Sequence, residues 1–158
     1  MNKVHNKRGF TIIEVVLVLA IAGLIFLMVF IALPALQRGQ RDTQRRDDVS
    51  KFTSQLQSYA VNNRNKLPAA TPVAVTAFKT SYLKWKVDNS GEFNDPKTGN
   101  GYNITTGAGT PTAADEMRYG GPNTECNNEA IQTGGGNRQA AISVVLEGGG
   151  VYCQNLVQ

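Results

Sequence analysis

Hydrophobic and polar positions divide this chain into stretches with different periods. From Val15 to Leu33 no side chain carries a charge. No polar face interrupts that run, so it reads as a helix that is apolar all round. At 1.5 Å rise per residue it is about long enough to span a hydrocarbon core of ~30 Å. Beyond it, no helix-stop signal appears before about residue 62 apart from Pro34 and Gly39. Pro34 removes a backbone donor and should kink or loosen the helix locally. Gly23, inside the apolar run, lowers helix propensity by about 1 kcal/mol relative to Ala.

The stretch from Arg38 to Asp48 has no large apolar residue. Its opposite charges recur at helical spacing: Arg38 with Asp42, Asp42 with Arg46, Asp47 with Lys51. Each such pair adds about 0.2–0.5 kcal/mol, which predicts a solvated, continuous helix. Arg38, Arg41, Arg45 and Arg46 are interleaved with acids, so they read as a solvated face rather than a basic patch for phospholipid or DNA. An apolar stripe then begins at Val49, Phe52, Leu56 and Tyr59 or Ala60, with the spacing of one helix face that needs a partner. Asn62 to Asn65, followed by Leu67-Pro68, supplies the stop.

The remainder predicts a small head. A short helix is expected over Val73–Leu83, with Trp85 in the core. Of 16 glycines, 13 lie from Gly91 onward, and residues 99–112 and 123–137 read as loops. Strands are expected at Tyr102–Thr105, Glu116–Tyr119, Ala140–Glu147 and Val151–Asn155. The last two are joined by Gly148-Gly149-Gly150, a hairpin connection. Ile142, Val144 and Leu146 alternate with Ser143, Val145 and Glu147, predicting one buried face whose simplest partner is the stripe from Val49 to Tyr59. The expected fold is α+β: a long N-terminal α-helix whose distal half packs against a small antiparallel β-sheet head.

Charge and composition sharpen this picture. The first nine residues carry Lys3, Lys7 and Arg8 and no acid. That flank should stay cytoplasmic, which places the head outside. The net charge of +4 is mostly this flank, since without it 13 of the 16 basic side chains remain against 12 acidic ones. The basicity is an orientation signal and does not indicate a nucleic-acid partner. Ala20-Ile21-Ala22 has the form of a secretory cleavage site, but only Val15 to Leu19 precede it, too short an apolar core. The single histidine, His5, and two cysteines outside C-x-x-C spacing leave no material for a His-based triad or a Cys/His zinc site. Nothing in the head groups acid, base and nucleophile, so no enzyme and no cofactor is indicated. Cys126 and Cys153, both outside the cytoplasm by this orientation, are expected to form a disulfide, with two free buried thiols as the alternative. Closing that loop should contribute about 3.5 kcal/mol in the loop-entropy model. Asn103-Ile104-Thr105 is a glycosylation sequon by pattern alone.

One feature of the anchor needs more than length. Glu14 sits at the edge of the apolar segment, where a carboxylate would cost about 2.5–3.5 kcal/mol if carried to the bilayer centre. In context, Lys7-Arg8-Gly9-Phe10-Thr11-Ile12-Ile13-Glu14-Val15 closely resembles the type IV prepilin motif, and with the apolar run the resemblance covers about residues 7–36. It implies cleavage by a prepilin peptidase between Gly9 and Phe10 and methylation of the new Phe10 amine. It also implies assembly in which Glu14 of one subunit meets the Phe10 amine of a neighbour. Paired, the two charges offset each other's desolvation. The resemblance further implies a cleaved leader (1–9), a transmembrane and filament-core helix (10–36), its amphipathic continuation (37–63) and a head (64–158). Pilins of this family often loosen part of the anchor helix in the filament, and Gly23 to Pro34 is the matching stretch.

The implied function is that of a structural subunit of a surface fibre serving adhesion, motility or DNA uptake. The partners it implies are other copies of the chain, the peptidase, an assembly platform, minor pilins and, before assembly, the membrane. The precursor would cross the cytoplasmic membrane once, and the mature form would reside in an extracellular pilus. Asp95-Pro96 looks similar to the Asp-Pro loop of type II secretion pseudopilins, some of which bind calcium nearby. Asp88, Glu92 and Asp95 are weak calcium candidates on that account, without EF-hand spacing. A pseudopilin of a secretion or competence system is therefore the alternative, and a single-pass anchored binding protein a further one.

Overall fold

The computed structural model describes residues 9–86, 88 and 91–157. Lys3, His5, Lys7 and Arg8, on which the leader argument turns, lie outside the described residues. The chain divides into two compact units, with the boundary after Gln37.

The first unit is the apolar part of helix α1, which runs from Ile12 to Asn62 without interruption. Gly23 and Pro34 both lie inside it. Its large side chains from Ile12 to Leu36 are exposed, among them Ile13, Leu24, Phe26 and Phe30. The helix is long and apolar enough to cross a membrane by length and composition.

The second unit begins at Arg38 and holds the rest of α1 and the head. Helix α2 spans Pro72–Tyr82. It starts where Thr71 accepts a hydrogen bond from the Ala74 N–H and Pro72 needs no partner for the N–H it lacks. A four-stranded sheet follows in the order β1 (Asn103–Thr106), β2 (Glu116–Tyr119), β5 (Gln139–Val145), β6 (Val151–Val157). Strands β3 (Thr124–Asn127) and β4 (Ala130–Thr133) form a separate antiparallel pair. The β2–β5 and β5–β6 pairings are antiparallel.

Three sequence expectations are corrected here. The sheet is not wholly antiparallel, because β1 runs parallel to β2. Parallel neighbours usually need a crossover of about a dozen residues or more. Here residues 107–115 suffice because β1 and β2 are only four residues long and the return path is short, and hydrogen bonds hold the connection in place. Gly109 exchanges backbone hydrogen bonds with Ile131 at 2.7 and 2.9 Å, and the Glu116 carboxylate accepts from the Thr112 and Ala113 N–H groups. Second, residues 123–137 are not all loop but contain β3 and β4, turning at Asn128 with φ of 53°. Third, β5 is buried on both faces, including Ser143, because that extra hairpin covers the side the alternation assigns to water. The hairpin comes close: a Cβ on Gly120 would lie 2.4 Å from Thr124 Oγ1 and 2.6 Å from Ile131 Cγ2.

The core forms between the helix stripe and the inner sheet face. Val49, Phe52, Leu56 and Ala60 are buried, with Tyr59 half-buried beside them. They meet Val75 and Phe78 of α2, Met117 and Tyr119 of β2, Ile142 and Val144 of β5, and Leu156 of β6. Phe52 is central, its ring centroid 5.2 Å from Phe78, 5.8 Å from Tyr119 and 6.2 Å from Phe93. Trp85 is half-buried rather than central to the core. Lys79 Nζ sits 3.8 Å over its ring, and burial lowers the pKa of that lysine.

Candidate functional site

The N-terminal features come from local sequence chemistry. Gly9 and Phe10 precede α1 and are exposed. Thr11 opens the helix and Glu14 lies in its first turn. The Thr11 N–H and Oγ1–H both donate to Glu14 Oε2, each at 2.8 Å. The Glu14 N–H approaches Thr11 Oγ1 at 3.4 Å. This is a capping box, in which a Ser or Thr and an acid three residues later satisfy each other's backbone donors. Its signal, Thr-x-x-Glu ahead of an apolar run, was present in the sequence, and reading Glu14 for a partner chain alone overlooked Thr11. The box starts the helix after Phe10, so the Gly9–Phe10 peptide bond lies outside it. Both polar contacts fall on a single Glu14 oxygen.

The charged stretch of α1 is a solvated face only in part: Arg38, Arg46 and Asp47 are exposed, but the side carrying Arg41, Asp42, Arg45 and Asp48 turns to the head. Arg45 is fully buried and Asp48 nearly so. Arg41 grips Glu147 with two hydrogen bonds, Nε to Oε1 at 3.0 Å and Nη2 to Oε2 at 2.8 Å. Arg45 donates from Nε to Asp95 Oδ1 at 2.9 Å and from Nη1 to the Val145 carbonyl at 2.9 Å. Its Nη2 also lies 2.7 Å from Asp95 Oδ1 and 3.5 Å from Glu147 Oε1. Asp42 accepts from the Glu147 and Gly148 N–H groups at 2.6 and 2.8 Å, capping the β5–β6 turn. Tyr102 donates to Asp48 at 2.8 Å. Burial raises the Asp48 pKa, and the hydrogen bond from Tyr102 only partly opposes it. The Arg41 hydrogen bonds hold Glu147 below the usual carboxylate range. Among the described residues, the ion pairs of this stretch run to the head and not along the helix. Helical spacing says which charges share a face. It does not say that the face meets carboxylates far along the chain.

The calcium candidates are not gathered. Asp95 is buried on Arg45, and its second oxygen accepts from the Lys97 and Thr98 N–H groups at 3.2 and 3.0 Å. Glu92 pairs with Lys84 at 3.2 Å on the surface, and Asp88 is exposed. Among the described residues no group of three His, Cys, Asp or Glu side chains is placed to hold a metal ion. Asp95 thus already has an internal cation from the helix as its counter-charge.

Cys126 of β3 and Cys153 of β6 are joined by a disulfide. It fastens the hairpin to the outer edge of the main sheet. Two side chains complete that edge: Asn155 Oδ1 accepts from the Cys126 N–H at 2.7 Å, and Glu129 Oε1 from the Val151 N–H at 3.3 Å. A covalently covered edge strand is a poor template for unintended strand pairing.

Residues 4–30 match the family described as the prokaryotic N-terminal methylation motif. No curated protein and no solved structure is significantly similar to the chain. The match spans the Gly9–Phe10 junction, the capping box and most of the exposed apolar helix, and the motif is that of the class III signal peptide of type IV pilins. That segment heads a long apolar helix that leads to an α+β head, and in this the chain is similar to prepilins of the type IV pilin and pseudopilin kind.

Proposed function

We propose that this chain is a structural subunit of a type IV pilus. A prepilin peptidase would cut it between Gly9 and Phe10, methylate the Phe10 amine, and release a subunit that polymerises through α1 into a surface fibre. The observation that carries the reading is the methylation motif over residues 4–30, whose apolar part lies on a helix with large side chains from Ile12 to Leu36 exposed among the described residues. Exposed apolar surface of this extent belongs in lipid or against other subunits. Lipid covers it before assembly, and the same helices of neighbouring copies cover it afterwards. In that exchange the Phe10 ammonium leaves water, and Glu14 of a neighbour supplies the compensating charge. The Gly23–Pro34 stretch, helical here, is where α1 loosens as the helices pack, since the Pro34 ring removes one rung of the helix ladder. Cofactors have no part in this scheme, and the chain acts by assembly rather than catalysis.

The pseudopilin alternative rests on the Asp95-Pro96 loop. That loop has a structural role in this chain, because its carboxylate is occupied by Arg45, while the disulfide at the end of the chain favours a pilus subunit. Mass spectrometry of surface fibres sheared from the source organism tests the reading. The expected main subunit begins at N-methylated Phe10, and Glu14→Ala leaves the protein in the membrane with no fibres. A mature protein that still begins at Met1 would overturn it.

A further inference from the structure

We propose that residues 38–48 are held on the head by an electrostatic latch that opens separately from the apolar core. The stretch contains no apolar side chain larger than that of threonine. Its contacts with the head are made by charged side chains: Arg41 to Glu147, Asp42 to the Glu147 and Gly148 N–H groups, Arg45 to Asp95 and the Val145 carbonyl, Asp48 to the Tyr102 hydroxyl, and the Arg46 guanidinium 5.0 Å over the Tyr152 ring. Apolar attachment starts at Val49 and continues through Phe52, Leu56 and Ala60. The same helix is therefore fixed by two kinds of force in succession. The apolar part gives way only when core surface is exposed to water. The charged part has little apolar surface to expose, but its opening must hydrate the fully buried Arg45–Asp95 pair, so its cost is set by charge rather than by core area.

The contacts are also mutually dependent. Arg41 and Arg45 both address Glu147, whose backbone N–H is in turn held by Asp42. Loss of one removes the charge balance that supports the others, so opening is concerted within the latch. Opening would free α1 from the head over eleven further residues, about 16 Å of helix at 1.5 Å per residue. On the pilus reading, which this consequence alone rests on, the head gains reach while its core remains intact.

Amide hydrogen exchange by NMR on the full chain in detergent micelles tests the latch. The Glu147 and Gly148 amide protons are the reporters, since their acceptor is Asp42 on the helix. Arg41→Gln should accelerate their exchange by roughly tenfold. The β5 amides that pair with β6 should change by no more than about twofold, as separate opening requires. Equal acceleration of the β5 amides, or failure of the variant to fold, would show that the latch and core open as one unit and overturn the proposal. Unchanged exchange at Glu147 and Gly148 would show that the contacts are independent and overturn it as well. Wild-type protein in high salt should show the same selective acceleration at a smaller amplitude. None of these outcomes depends on processing or fibre formation, so the latch and the pilus reading can fail separately.

Discussion

Replacing Asp95 with Asn tests whether a buried ion pair holds the head to its helix. Arg45 and Asp95 have side chains with no exposure to solvent, and the guanidinium contacts Asp95 Oδ1 through two nitrogens. Asn at position 95 keeps the shape and an oxygen that can accept from the Lys97 and Thr98 N–H groups, so the change isolates the charge. What remains is a buried guanidinium whose nearest other carboxylate oxygen, on Glu147, is 3.5 Å away. Removing one partner of such a pair costs about 3–5 kcal/mol, because the other charge is left uncompensated. The Glu147 contact places Asp95→Asn near about 3 kcal/mol, the lower end of that range. Asp95→Ala also abandons two backbone donors and should cost about 1–2 kcal/mol more. For a head of this size about 3 kcal/mol corresponds to a fall in Tm of roughly 15 °C.

Arg45→Met with Asp95→Asn removes both charges and should be less destabilised than either single variant, since two apolar or neutral groups tolerate burial better than one orphaned ion. The assay is thermal unfolding followed by near-UV circular dichroism at neutral pH, on detergent-solubilised protein, with and without chelator. A cost for Asp95→Asn under about 1 kcal/mol, within the range of a surface substitution, would refute the reasoning. So would a large drop in wild-type Tm on chelation, because a metal ion rather than Arg45 would then be the counter-charge of Asp95.

Two further outcomes follow from the structure. For Glu116, burial opposes ionisation, but hydrogen bonds from Thr105, Thr112 and Ala113 and the charge of Arg118 outweigh it and bring the pKa down to about 2. A depressed carboxylate stabilises the fold above its unfolded pKa and loses that contribution as pH falls through the folded value. Glu116→Gln should therefore lower Tm at pH 7 and flatten its decline between about pH 4.5 and 2, and a decline as steep as that of wild type would contradict this. Replacing both Cys126 and Cys153 with Ser should cost about 3.5 kcal/mol in the loop-entropy model. Amide exchange should then rise first in β3 and β4, and an unchanged Tm would show that the Gly109–Ile131 and Thr124 contacts hold the hairpin without the covalent tie.

How much of this was legible in the chain differs from element to element. The anchor helix follows from one uncharged run, because an apolar residue at every position leaves no ambiguity of face or register. The distal stripe is equally local: Val49, Phe52, Leu56 and Ala60 are buried where their spacing places them. A modest apolar face alone places helix α2 over Val73–Leu83, and its observed start at Pro72 is set by the Thr71 cap. The capping box of Thr11 and Glu14 was also local, since both partners lie within one turn.

What the sequence by itself determined, then, is whatever is settled within a turn or a few residues: helix extent, the faces of the stripe, the end strands and the N-terminal methylation motif. The tertiary structure alone decided the rest. It brought Asp95 and Glu147 onto Arg41 and Arg45, turning a stretch with the pattern of a solvated helix into the charged seam of the head. It folded a turn-rich segment into β3 and β4, which buried Ser143 on a face that alternation assigns to water. It also laid β1 parallel to β2 through a short connection held by Glu116. The physical reason is common to all three. Periodicity reports which side of an element turns inward. The partner that meets that side, whether oil, carboxylate or another strand, is chosen by chain that returns from a hundred residues away, as Arg41 and Glu147 show.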